Sequence, residues 1–270
     1  MSSALSRSFL FVPANRPERF DKAVASGAHQ IILDLEDAVA PADKGTARGA
    51  IAQWAGRNGA IVRVNGADSP FFAADMDMVR RAGVTKLMLP KAEPGSLNRL
   101  VGLLDQSCRI IALIETVRGY AELRSIGNSG LVSQLAFGNL DFGIDAGVTE
   151  TAQELDPVRL QIVLESRLAG LAAPVDGVTT NWTDPAAFGA AVGRARALGF
   201  GAKLCIHPAQ VKLVNDAFLP TADELKWARR VMEVAESAGG AAVALDGKMI
   251  DAPVIRRAEL ILASEASIGT

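Results

Sequence analysis

Short unbroken apolar runs recur along the chain, and each gives way to a stretch whose apolar positions return every three or four residues. The runs are Ser8 to Val12, Gln30 to Leu35, Ala60 to Val64, Lys86 to Leu89, Ile110 to Ile114, Gln134 to Phe137, Asp176 to Thr180 and Lys203 to Ile206. Runs of this kind read as strands buried on both faces, as in a parallel sheet covered by helices. Helical spacing predicts helices over Pro17 to Ala25, Thr46 to Trp54, Phe71 to Arg81, Leu97 to Leu104 and Tyr120 to Ile126. Asp156-Pro157 and Asp184-Pro185 each place an N-cap acid before a proline suited to the first helical position, and the helix after Asp156 is expected to reach about Ala172. A helix through Phe218 follows the eighth run. Strand–helix alternation of this kind predicts an α/β chain folded as a (β/α)8 TIM barrel. An open doubly wound sheet is the alternative, but no G-x-G-x-x-G follows the first run.

The pattern continues past the eighth unit. Thr221 and Glu224 form a capping box that opens a helix over Thr221 to Ala238, ended by Gly239-Gly240. Ala241 to Leu245 and Lys248 to Ile250 flank Asp246-Gly247, a hairpin signal, and Pro253 to Ser264 closes as an amphipathic helix. The expected organisation is a barrel over 1–220 and a helix–hairpin–helix extension over 221–270. The extension is too small to fold alone, so it should dock on its own or a neighbouring barrel.

Composition narrows the function. With a net charge of -2 there is no electrostatic case for nucleic acid or an anionic membrane as partner. Cys108 and Cys205 sit in or beside apolar runs far apart, which suits buried reduced thiols and not a metal-ligand spacing. Pro13 breaks the first apolar run before it reaches signal-peptide length, and no segment is long enough to span a membrane, so a cytoplasmic location is expected.

The ionisable residues at the ends of the runs form a pattern of their own. They are Glu36 and Asp37, Arg63, Lys91 and Glu93, Glu115, Asp141 and His207. A barrel brings its strand ends together on one face, where its chemistry resides. Carboxylates crowded there cannot all ionise without a cation. A divalent metal on Glu115 and Asp141 is one solution, and ion pairing with Arg63 or Lys91 is the other. Oxygen ligands with few histidines point to Mg²⁺ or Mn²⁺. The guanidinium fork of Arg63 suits a substrate carboxylate or a structural ion pair. Lys91 and Lys203 invite a Schiff-base reading, although acids near Lys91 favour its charged form. His207 is a base or a polar core group, and His29 a surface residue.

Eight motifs at these positions carry a resemblance: RSFLFVP (7–13), DLEDAV (34–39), VRVN (62–65), LPKAE (89–93), IALIET (111–116), FGNLDFGIDAG (137–147), IHPAQV (206–211) and GKMIDAP (247–253). Through them the chain resembles, along essentially its full length, the citrate lyase beta-subunit-like proteins of the HpcH/HpaI aldolase superfamily. The resemblance implies a Mg²⁺-dependent barrel that breaks or forms a carbon–carbon bond next to a CoA or acyl-carrier thioester. It implies Glu115 and Asp141 as metal ligands, Arg63 on the keto-acid carboxylate, and Glu36 and Asp37 orienting metal-bound water. It places Phe11, Arg16, Arg19 and Lys22 of the first loop, with Ile206 and His207, against CoA. Asp251 becomes the acid/base, reaching a neighbouring subunit's site, which implies an oligomer, a trimer foremost.

Ala14 and Ala202 stand where relatives commonly carry Gly, and Glu18 replaces a basic residue of some CoA-using relatives. These departures bear on the CoA contacts. The expected function is cleavage of a citryl-, malyl- or citramalyl-CoA type thioester to a keto acid and acetyl-CoA. The alternatives are a malate-synthase-like condensation with thioester hydrolysis, a Schiff-base aldolase, and a non-catalytic binding paralogue.

Overall fold

A computed structural model describes residues 6–105, 107–149, 153–237 and 243–266. The strands are β1 (Ser8–Pro13), β2 (Gln30–Asp34), β3 (Ile61–Arg63), β4 (Lys86–Leu89), β5 (Arg109–Ile114), β6 (Val132–Phe137), β7 (Ala172–Asp176) and β8 (Ala202–Cys205). They pair in parallel in chain order, and β8 returns to β1, so the sheet closes into the expected barrel. Closure removes the exposed edges that an open sheet would leave. Phe9, Ile32, Ile61, Met88, Ile111 and Leu204 belong to the cluster that fills the interior. This aliphatic packing is why the strands read as continuous apolar runs.

Several local details depart from the sequence pattern. The seventh strand is Ala172–Asp176, ahead of the expected Asp176 to Thr180. Asp176 is its last residue, and its carboxylate is held in buried ion pairs with Lys203 and Arg159. The helix expected over Tyr120 to Ile126 is two short ones, Val117–Ala121 and Leu123–Gly127, broken at Glu122. The helix expected over Leu97 to Leu104 is instead Pro94–Asn98, opened by a Glu93–Ser96 capping box, and turns follow it. Asp184 caps its helix as expected, accepting from Ala186 and Ala187 N–H groups. At the other site the N-cap is Leu155, and Asp156 lies in the first turn with its carboxylate turned to Arg194.

The chain divides into two compact units, Ser6–Asn215 and, among the described residues, Asp216 onward. In the second unit the helices Ala222–Ser237 and Ala252–Ala266 pack around Ala228, Val231, Ile250 and Ala258. Thr221 and Glu224 exchange the two bonds of the expected capping box. Strands β9 (Val243–Leu245) and β10 (Lys248–Ile250) pair antiparallel across Asp246 (φ 50°) and Gly247 (φ 73°). Two consecutive left-handed residues are what a type I′ turn requires. The expected helix stop at Gly239-Gly240 lies outside the described residues. No helix among the described residues is long and apolar enough to cross a membrane.

Candidate active site

Asp34 and Arg63 end their strands and are register partners across β2 and β3. Arg63 Nε and Nη2 donate to Asp34 Oδ1 and Oδ2, both at 2.7 Å. The same carboxylate accepts from the backbone N–H of Glu36 and Ala38, and so folds the DLEDAV loop over the strand end. One edge of the Arg63 fork is therefore committed to the protein. Arg63 Nη1 remains on the cavity side, 3.0 Å from Glu36 Oε2 and 3.7 Å from Asp37, with the guanidinium 4.8 Å from the Phe11 ring centroid. Lys44, also buried, holds the loop from beneath through the carbonyls of Leu35 and Glu36 and the side chain of Asn65.

Glu115 follows β5 and is 2% exposed. Its Oε2 accepts from the backbone N–H of Lys91 at 2.9 Å. Lys91 has φ 47°, uncommon for a residue with a side chain, and this backbone turn accompanies a side chain whose Nζ reaches Glu36 Oε1 at 3.1 Å. On the other side Gly138, bonded through its N–H to the Ile114 carbonyl, presses on Glu115; a Cβ there would collide with Glu115 Cγ. Asp141 is not on the sixth strand end but in the first turn of the helix Asn139–Ala146 that follows it, half-buried. Phe11, Arg63, Glu115, Asp141, Leu204 and Ile206 all line one cavity of about 410 Å³ at this end of the barrel.

The electrostatics follow from the crowding. Burial, reinforced by the Glu36 charge, pushes the Glu115 carboxyl up to about 8. Burial also raises Glu36, against the opposing pull of Arg63. Burial lowers the Lys91 ammonium, but Glu36 and Glu115 outweigh it and the net shift is upward. Lys203 is not an available amine either, since its Nζ is held by Asp176 Oδ2 and the Gly177 carbonyl, both at 2.7 Å. Neither lysine has the environment of a Schiff-base nucleophile.

Among the described residues that line the cavity, Asp34, Asp37, Glu115 and Asp141 stand with the cation Arg63, and Glu36 beside them pairs with Arg63 and Lys91, so carboxylates outnumber these cations. No group of three or more His, Cys, Asp or Glu side chains converges as a complete cage among the described residues. Two carboxylates and open positions are instead what Mg²⁺ takes when water and substrate oxygens complete its shell. The donor set fits that ion.

The other expected site residues are placed differently. Arg16, Arg19 and Lys22 are exposed on the segment after β1, and Glu18 takes up Arg16 at 2.8 Å, so the basic loop carries its own counter-charge. His207 stacks on Trp182 with centroids 4.2 Å apart, and its Nδ1 accepts from the Ala209 N–H. Asp251 belongs to the second unit, where its side chain accepts from the Val254 N–H at the start of the last helix. Reading the strand ends from sequence passed over Asp34, hidden as the last residue of an apolar run, and Asn139, which is 4% exposed and lines the cavity beside Asp141.

Comparison with known proteins agrees with this geometry. The profile of the HpcH/HpaI aldolase/citrate lyase family matches residues 7–208. A citrate lyase subunit beta-like protein of Deinococcus radiodurans is 35% identical, over 97% of this chain and 98% of its own length. The L-malyl-CoA/beta-methylmalyl-CoA lyase of Cereibacter sphaeroides is 32% identical, over 95% of this chain and 93% of its own. Among solved structures, the Mycobacterium tuberculosis protein CitE in complex with magnesium, acetoacetate and coenzyme A superposes with a TM-score of 0.88 at 33% identity, covering 97% of this chain and 99% of that one. A closed parallel barrel with paired carboxylates at its strand ends, matched over nearly its whole length by such relatives, makes this chain a member of the HpcH/HpaI aldolase/citrate lyase family of lyases.

Proposed function

We propose that the protein is a Mg²⁺-dependent carbon–carbon lyase that cleaves a 3-hydroxyacyl-CoA thioester of the citryl-, malyl- or citramalyl-CoA type. The products would be a 2-keto acid, such as oxaloacetate, glyoxylate or pyruvate, and acetyl-CoA. The observation that carries this reading is the convergence of Glu115, Asp141 and Arg63 on one cavity in which carboxylates outnumber the described cations. The magnesium, acetoacetate and coenzyme A held by the tuberculosis protein lend it support.

Glu115 and Asp141 would hold the metal, which when bound would act as a Lewis acid on the oxygen where negative charge develops, an effect worth several kcal/mol. Arg63 would bind the carboxylate next to the hydroxyl through the nitrogen that Asp34 leaves uncommitted. The Asp34 pair and the Phe11 ring keep that nitrogen aimed into the cavity. Glu36 and Asp37 would orient water at the site. The hydroxyl proton would pass to the water that Glu36 and Asp37 orient, its carbon would become the carbonyl of the keto acid, and the electrons of the breaking carbon–carbon bond would pass to the thioester enolate. Asp251 would then supply the proton to the enolate carbon. On this reading it comes from a neighbouring copy in a homotrimer of the cytoplasm. Phe11 and Ile206, which line the cavity, would meet the thioester arm, and Arg16, Arg19, Lys22 and His207 would lie along the rest of CoA.

The test is a mass-spectrometric screen of the purified protein with Mg²⁺ against the three hydroxyacyl-CoAs. EDTA, Glu115→Gln and Asp141→Asn should each abolish the activity found. Turnover that survives all three would end the metal assignment.

A further inference from the structure

Asp145, in the last turn of the helix Asn139–Ala146, stands one turn beyond Asp141 on the same face of that helix. Asp141 would hold metal, while Asp145 has no part in the chemistry above. Yet its side chain reaches the neighbouring strand end, where Oδ2 accepts from the backbone N–H of Val117 at 2.7 Å. Val117 follows Glu115 and Thr116 directly. A single hydrogen bond therefore joins the segment that leaves Glu115 to the helix that carries Asp141.

Further contacts make this bond a fixed point. The helix Val117–Ala121 is capped by Thr116, whose Oγ1 accepts from the Gly119 N–H. It is pressed onto the segment after β4 at Gly119, where a Cβ would collide with the Ala92 carbonyl oxygen. From the other helix Phe142, buried beside Asp141, meets Tyr120 and Phe137 edge-on, with ring centroids 5.9 and 5.5 Å apart. The seam between the two helices thus has an apolar contact at Tyr120–Phe142 and a polar one at Val117–Asp145. Glu115 and Asp141, at the starts of the two segments, open on the same cavity. Mg²⁺ tolerates little error in the spacing of its ligands, which sit about 2.1 Å from it.

We propose that Asp145 is a positioning residue for the metal pair. Through its bond to Val117 it fixes the helix of Asp141 against the segment that follows Glu115, and so sets the opening between the two carboxylates. This rests on the metal reading above and adds to it a residue that does not touch the ion.

The bond can be deleted from either side. Asp145→Ala removes the acceptor. Val117→Pro removes the donor at the first helical position, where proline is suited and no intrahelical bond is lost. Thr116, with φ -130° and ψ 152°, already has the backbone of a residue before proline. Asp145 and Val117 are both exposed, so neither change opens the core. Titration of the full-length protein with Mn²⁺, read from the EPR signal of the free ion, measures the site without turnover. The wild type should bind saturably, and each variant about tenfold more weakly. The double variant should bind no more weakly than either single one, because the same bond is lost only once. Asp145→Asn keeps an acceptor and should stay within about threefold of the wild type, the share expected of a screened surface charge. Wild-type affinity in Asp145→Ala or Val117→Pro, additive losses in the double variant, or an Asp145→Asn as weak as Asp145→Ala overturns the proposal and leaves the metal pair standing. A wild type that takes up no Mn²⁺ overturns both.

Discussion

Gly138 and Glu115 occupy one another's space: the missing side chain of Gly138 is what admits the Glu115 carboxylate to the floor of the cavity. The contact follows from the sheet, because Ile114 and Phe137 are register partners and the next residues of both strands must meet. Gly138→Ala should therefore displace Glu115. The expected result is a loss of Mg²⁺ affinity and of activity by two orders of magnitude or more, at an overpacking cost of ~1–3 kcal/mol. Metal titration and urea denaturation of the same variant separate the two effects.

Without metal, Glu115 is held protonated at neutral pH. Its carboxyl stands at about 8 in the folded chain against 4.5 for an ordinary glutamate. The folded state binds the extra proton, so this contribution to stability is complete below the unfolded value and is lost as pH rises through about 8. The metal-free wild type should lose stability relative to Glu115→Gln across that window. Mg²⁺ binding near neutral pH should release a proton, which calorimetry in buffers of different ionisation enthalpy would detect. A wild type that gains stability over the window relative to the variant would contradict the assignment.

Asp34 is buried, with its partner Arg63, and both oxygens are engaged. Asp34→Ala leaves the guanidinium without its bidentate partner and should destabilise the fold by ~3–5 kcal/mol. The milder Asp34→Asn should fold but let Arg63 turn, raising KM for the keto acid more than it lowers kcat. Chemical denaturation and steady-state kinetics would show this.

Lys91 contributes its backbone N–H to Glu115 and its ammonium to Glu36. Borohydride with pyruvate should trap no adduct at Lys91 or Lys203, because one is kept charged by acids and the other is locked in an ion pair. Lys91→Gly should retain the Glu115 contact and relieve the left-handed backbone, for a gain of roughly 1 kcal/mol from that source. A trapped lysine in the peptide map would reverse this reading.

Asp251→Asn should remove turnover while leaving Mg²⁺-dependent keto-acid binding intact, if the residue is the proton donor. Its present bond to the Val254 N–H is one that asparagine also makes as an N-cap, so stability should change little. Loss of keto-acid binding in this variant would remove Asp251 from that role.

The barrel was legible because its signal is local. Runs such as Ile110 to Ile114 must be apolar throughout when helices cover one face and the interior the other. Glu115 was legible for the same reason: an acid directly after such a run needs a partner, and few kinds of partner exist. Asp246-Gly247 likewise announced its hairpin, since two left-handed residues in succession restrict the side chains allowed. The seventh strand was misplaced because Ala172 to Asp176 has neither a long apolar run nor β-branched residues apart from Val175, and pairing with its neighbours is what makes it a strand.

What the chain by itself determined, then, is the alternation of apolar runs and helices and which acids and cations follow those runs, leaving open between a metal and ion pairs what balances them. What only the tertiary structure decided is who faces whom. Register is a relation between strands far apart in sequence. It sets Asp34 opposite Arg63 and Asp176 opposite Lys203. The first pair commits one edge of a free-looking guanidinium fork to the protein, and the second locks a candidate nucleophile into a buried ion pair.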